Sequence, residues 1–301
     1  MAIHIGLAGW GDHERLYPPG LKAKDRLREY ANHFTVVEVD SSFYAIQPPE
    51  RFAKWVEETP ASLRFVVKAY QGMTGHQRGP AAAAQSAEPG PMFEAFRESL
   101  APVIAAGRLK AALFQYPPWF DCTREHVALL RETKQRMEGI PCALEFRHQS
   151  WFAKEYRSKT LQFMEREGWI HSVCDEPQAG AGSIPTVLEA TSPEMTLVRF
   201  HGRNAAGWNQ GGAANWRDVR YLYRYSTEEL TEWLGRLREL ERQSAEVDVI
   251  FNNNSGGDAA DNAKEMMALL GQRRPDGGDP MEPLPEPKAP EVEQLDLFGD
   301  I

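Results

Sequence analysis

The chain has 301 residues, 42% of them hydrophobic, enough to bury one large core or two small ones. Its net charge is −9, but the segment from Pro275 to Ile301 holds eight acidic residues and one lysine, so it carries −7 and leaves −2 for the rest; a basic nucleic-acid-binding domain is excluded. No apolar run approaches the roughly 18 residues that span a bilayer, the N-terminus lacks a signal-peptide pattern, and the three isolated cysteines, Cys122, Cys142 and Cys174, form no CxxC pair, all of which points to a reducing cytoplasmic location.

In chain order, short apolar runs occupy Ile3–Gly9, Thr35–Asp40, Arg64–Ala69, Leu109–Gln115, Pro141–Arg147, Trp169–Cys174, Thr196–His201 and Val247–Asn252. Most are continuously apolar, as parallel strands covered on both faces should be. Helix-periodic segments separate most of them. Phe93, Phe96, Leu100, Val103 and Ile104 form one stripe, closed by Gly107. Leu230, Trp233, Leu234, Leu237 and Leu240 form another, opened by a capping-box pattern from Ser226 to Glu229. A last one, Ala263, Met266, Met267 and Leu270, ends at Gly271. Such stripes are packing faces. Eight βα repeats at this length predict one closed (β/α)8 TIM barrel, an α/β single domain, over residues 1–271. The sixth connection, Glu176–Glu194, is only weakly helical, and the seventh starts with a long loop, Asn204–Tyr225. Both suit loop elaboration around a site.

The strands end in polar groups: Glu38 and Asp40, Lys68, Gln115, then Glu145, Arg147 and His148. Asp175 follows strand six, Arg199, His201 and Arg203 come from strand seven, and Asn252, Asn253 and Asn254 from strand eight. Alternation puts Glu38 with Asp40, Glu145 with Arg147, and Arg199 with His201 on common faces. C-terminal strand ends converge on the active-site mouth of this fold. The candidate proton-transfer groups are Glu38, Glu145 and His201. The candidate substrate contacts are Trp10, Asp40, Lys68, Gln115, Arg147, His148, Arg199, Arg203, Asn252 and Asn254, with Arg199, Arg203 and Lys68 binding charge. Ser255-Gly256-Gly257 precedes a helix and offers backbone N–H groups to an anion, or forms an ordinary turn and N-cap with Asp258. Carboxylates and histidines in the set admit a divalent metal, but no HxH or HExxH spacing requires one and cationic neighbours compete. No GxSxG elbow is present. A mouth filled by mutual ion pairs would favour a binding module, and shifted carboxylate pKa values would favour catalysis.

These residues also carry a resemblance. Gly6-Leu7-Ala8-Gly9-Trp10, Val37-Glu38-Val39-Asp40-Ser41-Ser42-Phe43-Tyr44, Phe65-Val66-Val67-Lys68-Ala69, Phe114-Gln115-Tyr116-Pro117-Pro118, Leu144-Glu145-Phe146-Arg147-His148, Arg199-Phe200-His201-Gly202-Arg203, Tyr225-Ser226 and Phe251-Asn252-Asn253 resemble the YecE-like family, domain of unknown function 72. The resemblance runs to about Leu270 and implies a TIM barrel, in agreement with the strand count; it brings no reaction with it. Asp40 departs from the family's commoner Asn, adding a carboxylate that disfavours an anion at that point.

Beyond Gly271 the composition turns Pro-, Gly- and acid-rich, and residues 272–293 are expected to be a disordered linker. The final segment, 294–301, holds Gln294-Leu295-Asp296-Leu297-Phe298, which resembles the peptide by which bacterial repair and replication proteins bind the DNA sliding clamp. Leu295, Leu297 and Phe298 would fill an apolar pocket and Gln294 would supply an orienting hydrogen bond. The linker could reach roughly 60 Å if extended. Three readings stay open: a hydrolase or lyase on an anionic, phosphate-bearing or nucleic-acid-derived substrate tethered to the clamp, a non-catalytic binding barrel recruited there, or a metabolic enzyme with an incidental tail.

Overall fold

The computed structural model describes residues 2–77, 89–208 and 219–282. The Gln294–Phe298 peptide and the second half of the linker, residues 283–293, therefore lie outside the described residues, as does part of the seventh connection. Eight strands pair in chain order, all parallel, and the eighth closes on the first. They are β1 Ala2–Ala8, β2 Val36–Val39, β3 Arg64–Lys68 and β4 Leu109–Gln115, then β5 Cys142–Glu145, β6 Trp169–Asp175, β7 Met195–Phe200 and β8 Glu246–Phe251. Each lies within two residues of its expected bounds. Between them run α1 Arg26–Tyr30, α2 Pro49–Glu58, α3 Gly90–Ala105, α4 Arg124–Arg136, α5 Arg157–Glu167, α6 Ala205–Trp208, α7 Thr227–Glu241 and α8 Asp258–Leu269.

The pleat divides the apolar residues into two cores. Ala8, Val36, Val66, Ala111, Leu113, Ala143, Ile170, Leu197 and Ile250 fill the barrel interior. The alternate residues, such as Val37, Phe65, Phe114, Leu144, Phe200 and Phe251, pack outward under the helices. This two-sided burial is why the strands read as continuous apolar runs. The helix stripes supply the other half of the outer core: Phe93, Phe96, Leu100 and Val103 from α3, and Leu230, Trp233, Leu237 and Leu240 from α7. Ile104, expected in the first stripe, is instead exposed at 40%. At the N-terminus of α7 the Ser226 side chain accepts from the Glu229 N–H, and Glu229 accepts from the Ser226 N–H, the reciprocal cap expected there.

Interior side chains stack in layers. The apolar layer separates a polar mouth at the C-terminal strand ends from a charged floor at the N-terminal ends. Register slips between β3 and β4, where Phe65 faces Leu109 and Val66 faces Ala111, so Lys110 has no opposite number. That bulge re-aims Lys110; its ammonium ion-pairs with Glu246 and lies 3.7 Å from the fully buried Asp248.

Two connections depart from the repeat. Residues 176–194 form no helix; Ile184 and Val187 are buried and the segment lies as a strap over the barrel. The other correction concerns the linker, which begins later than expected. The Gln272 side chain donates to the Ile3 carbonyl at 2.7 Å, Arg274 pairs with Asp276 at 2.8 Å, and Pro280 is buried. The ordered body thus runs at least to Glu282, because side chains the composition marked as solvated are tied to the barrel and to one another. No described helix is long and apolar enough to cross a membrane.

Candidate active site

Strand geometry delivers the mouth. Glu38 shares the inward phase of Val36, Lys68 that of Val66, Glu145 that of Ala143, and Arg199 that of Leu197. Arg199 sits at the centre. Its guanidinium donates to Glu38 through Nε at 2.8 Å and Nη2 at 2.7 Å. On its other side Nη1 reaches both Glu145 oxygens at 2.9 and 2.8 Å. Arg147 donates from Nε to Glu145 at 2.8 Å and from Nη1 to Glu176 at 2.8 Å. Ser172 adds a hydrogen bond to Glu145 at 3.0 Å. Glu38, Glu145, Arg147, Arg199 and His201 are all buried. Charges can be held here only because each carboxylate meets a guanidinium fork and the remaining lone pairs are filled.

Protonation states follow from this packing. Burial works against the charge of Glu145, but Arg147 and Arg199 outweigh it and hold the carboxyl well below its usual range. Burial, then the charges of Arg147 and Arg199, push His201 well below the usual imidazole range, so the ring is neutral. Arg147 Nη2 lies 2.9 Å from His201 Nε2 and can only donate, so Nε2 accepts and Nδ1 carries the proton. The Asn252 carboxamide lies 3.0 Å from Nδ1, and its orientation follows from that tautomer.

Above this paired layer stand groups with less satisfied charge. Burial and the cations Arg199 and Arg147 lower the Lys68 ammonium to about 8, against the opposing pull of Glu38 and Glu145. Its Nζ sits 4.6 Å from the centroid of the Phe43 ring, and it makes no ion pair among the described residues. Burial and the neighbouring Glu38 raise Asp40. Burial raises Glu176 to about 7 despite its Arg147 partner. Arg220, stacked 4.2 Å over Trp208, also has no carboxylate partner among the described residues. Burial lowers it, and its Nε is unpartnered.

Of the residues expected in the site, Glu38, Gln115, Glu145, Arg147, Arg199, His201 and Asn252 join one hydrogen-bonded network, Gln115 through a 3.5 Å contact to Arg199. Lys68 and Asp40 border it. The others have separate employment. Arg203 pairs with Asp175 at 2.9 Å and with Glu229 of α7 at 2.9 Å, tying strand seven to its helix. Trp10 packs edge-on against Trp55 of α2 at 5.0 Å. His148 bonds Ser150 at 2.7 Å, and the Asn254 carbonyl accepts from Gly257. The Ser255-Gly256-Gly257 turn leads into α8, whose Asp258 and Asp261 already pair with Arg15 and Arg224. Its Gly257, left-handed at φ 76°, is the N-cap position of α8 and makes no side-chain cap.

Glu145 and His201 do approach a third metal-ligand type, Cys174, with one ligand atom of each within 4.8 Å of the others. A cation there would compete with two guanidinium groups for Glu145, and burial and Glu145 hold the Cys174 thiol well above its usual range. The donor set fits a metal poorly. Glu176, Ser172 and Arg220 were not singled out in the sequence. Glu176 was findable, because it continues the inward phase of Ile170 and Ser172; Arg220 lies within the seventh connection, 204–225, where no apolar periodicity marks it.

The family model described as "Protein of unknown function DUF72" matches residues 4–289. The chain is 57% identical over 269 residues to UPF0759 protein YunF of Bacillus subtilis, covering 89% of this chain and 94% of that one. UPF0759 protein YecE of Escherichia coli K12 is 26% identical over 249 residues, covering 77% and 82%. A DUF72 family protein of Enterococcus faecalis superposes with a TM-score of 0.82 at 39% identity, over 89% of this chain and 95% of that chain. One from Thermotoga maritima gives 0.77 at 29% identity, over 90% and 100%. A family match spanning nearly the whole barrel, with its fold shared by solved relatives, settles the assignment: the chain belongs to the DUF72 family.

Proposed function

We propose that the barrel is a hydrolase or lyase acting on an anionic, phosphate-bearing substrate at its C-terminal mouth. The observation that carries this is the pair of cations, Lys68 and Arg220, that make no ion pair with a described carboxylate and that each face an aromatic ring. The arginines beneath them are spent on Glu38, Glu145 and Glu176, while Asp40 and Glu176 are pushed toward their neutral forms. The mouth thus gains positive charge near neutral pH, and groups titrating close to neutrality suit proton transfer. Glu145, held ionised and fully bonded, suits positioning better than proton donation.

The Gln294–Phe298 peptide gives the second half of the proposal, a tether to the DNA sliding clamp that brings this cytoplasmic barrel to nucleic-acid-derived substrates. One observation favours a binding module instead: the floor of the mouth is a closed chain of ion pairs from Glu38 through Arg199, Glu145 and Arg147 to Glu176. Calorimetric titration with inorganic phosphate and pyrophosphate tests the anion site, with saturable binding expected for wild type and weakened in Lys68→Met. Absence of saturation at millimolar anion overturns it. Turnover in a panel of phosphorylated and nucleic-acid substrates separates enzyme from module. Clamp binding, lost in Leu297→Ala/Phe298→Ala, tests the tether; no binding by wild type leaves a metabolic enzyme with an incidental tail.

A further inference from the structure

Lys68 offers more than charge. It is the primary amine at the C-terminal end of β3, in the inward phase of Val66, partly open to the mouth. Its neighbours impose an unusual setting. Arg199 and Arg147 repel a proton on Nζ, while the carboxylates that could stabilise that proton are turned toward the guanidinium groups. One face of the amine rests on the Phe43 ring at 4.6 Å, which takes the place of water on that side; the π-face attracts the ammonium, but more weakly than the water it displaces. A lysine desolvated against an apolar wall and placed beside other cations is the arrangement that turns an ammonium into a nucleophile.

Among the other described lysines, Lys264 is also lowered by burial and by Arg274, but it lies on α8 with the Asp261 carboxylate acting against that shift. Lys110 ion-pairs with Glu246, and Lys54 lies 3.6 Å from Glu58 on the surface of α2. Lys134 faces the outer side of Trp169 at 5.6 Å, away from the mouth. On the neighbouring strand β4 the Gln115 carboxamide offers a donor for a carbonyl oxygen, and Asp40, whose carboxyl burial and Glu38 push toward its protonated form, lies close enough to Lys68 to feel its charge.

We propose that Lys68 condenses with the carbonyl group of an aldehyde or ketone substrate that also carries a phosphate, forming a Schiff base in the mouth. This rests on the anion-binding enzyme proposed above and names its substrate class. The step balances without any further reagent. The ammonium first releases a proton to solvent, and the nitrogen lone pair then adds to the carbonyl carbon. The carbonyl π pair moves to oxygen, and one N–H proton passes from the new ammonium to that oxygen, leaving a neutral carbinolamine with a nitrogen lone pair. The hydroxyl takes up a second proton, replacing the one first released to solvent, and leaves as water while the nitrogen lone pair forms the C=N bond, giving the protonated imine. An imine at this point draws electrons from the adjacent carbon, the requirement for a lyase that expels phosphate. Water addition reverses the condensation and frees Lys68.

The test uses the full chain with pyridoxal 5′-phosphate, a ring-bearing phosphorylated aldehyde, and with glyceraldehyde 3-phosphate, each trapped by cyanoborohydride and mapped by peptide mass spectrometry. At pH 7.5 an amine titrating near 8 holds on the order of 100-fold more free base than an ordinary lysine. Labelling of Lys68 ahead of the nine other lysines by roughly tenfold or more, slowed by inorganic phosphate, is expected. Lys68→Arg should bind phosphate yet lose this labelling. Labelling of Lys68 no faster than that of surface lysines overturns the inference. If phosphate binding persists in that case, the anion site stands and only the covalent step falls; if wild type neither binds phosphate nor labels, both fall.

Discussion

Asp248 allows a charge effect to be worked through to a number. It lies on β8 in the inward phase of Ile250, at the opposite end of the barrel from the mouth, with no exposure and neither carboxylate oxygen hydrogen-bonded. Lys110 is 3.7 Å away but is engaged by Glu246. Burial therefore wins over the lysine and raises the carboxyl from 3.8 to about 7. A folded-state pKa above the unfolded one means that the unfolded chain loses its proton first. The stability this group contributes is complete below pH 4 and is lost as pH rises through 7. The rise from 3.8 to about 7 corresponds to about 4 kcal/mol in all, of which about 2.5 kcal/mol falls between pH 5 and pH 8. Asp248→Asn keeps the shape, cannot ionise, and leaves Lys110 its Glu246 partner. Urea unfolding of both proteins at pH 5 and pH 8 isolates the contribution of Asp248, because every other titrating group is common to both. The variant should gain about 2.5 kcal/mol relative to wild type on going from pH 5 to pH 8. A difference that stays flat with pH, or a variant less stable at pH 8, would refute a buried uncompensated carboxylate at this position.

Other perturbations probe the mouth and the scaffold. Arg199→Met strands Glu38 and Glu145 in a buried layer and should cost about 3–5 kcal/mol in chemical unfolding; a loss below about 1 kcal/mol would mean that the two carboxylates find other partners or take up protons cheaply. Ser226→Ala removes one side of the reciprocal cap on α7 and should cost about 1 kcal/mol by the same measurement. Thiol titration of the native protein should leave Cys142 and Cys174 unreacted, since both are buried and burial pushes their thiols up, Cys142 to about 12. All three cysteines should react in urea, and rapid native labelling of Cys174 would contradict the sealed floor of the mouth.

The barrel was legible because its strands are covered on both faces, so Ile3, Val37, Phe65 and Phe114 advertise themselves without alternation. Strand phase then assigned Glu38, Glu145 and Arg199 to the mouth correctly, since inward and outward residues differ by one position. Phase does not say where a long side chain finishes. Arg203 is grouped with Arg199 in the sequence as a charge-binding residue of strand seven, but Gly202 before it adopts φ 81°, which breaks the strand and turns Arg203 toward Asp175 and Glu229. Lys110 shows the converse. Its position in the run predicts an outward side chain, and only the bulge against Phe65 and Val66, invisible in composition, brings it to Asp248. The strap of residues 176–194 was recognised as irregular, but its anchorage was not. The Ile184 N–H donates to Glu176 at 2.7 Å, a contact across eight residues that no periodicity encodes.

The two ends of the barrel treat buried charge differently, and the contrast bears on where chemistry resides. At the floor, one lysine serves two carboxylates, so Asp248 is left uncompensated and the natural response is to hold its proton. At the mouth, two arginines serve three carboxylates through forked hydrogen bonds, which leaves Glu145 ionised and the arginines fully engaged. The surplus there is cationic: Lys68 feels both guanidinium charges but has no described carboxylate of its own. The floor has no comparable free nucleophile, because its lysine is bound by Glu246. A saturated network under one amine without an ion pair is what the proposed condensation requires, and on that proposal Lys68, rather than the more conspicuous Glu38, Glu145 or His201, is the group whose replacement should remove reactivity without collapsing the site.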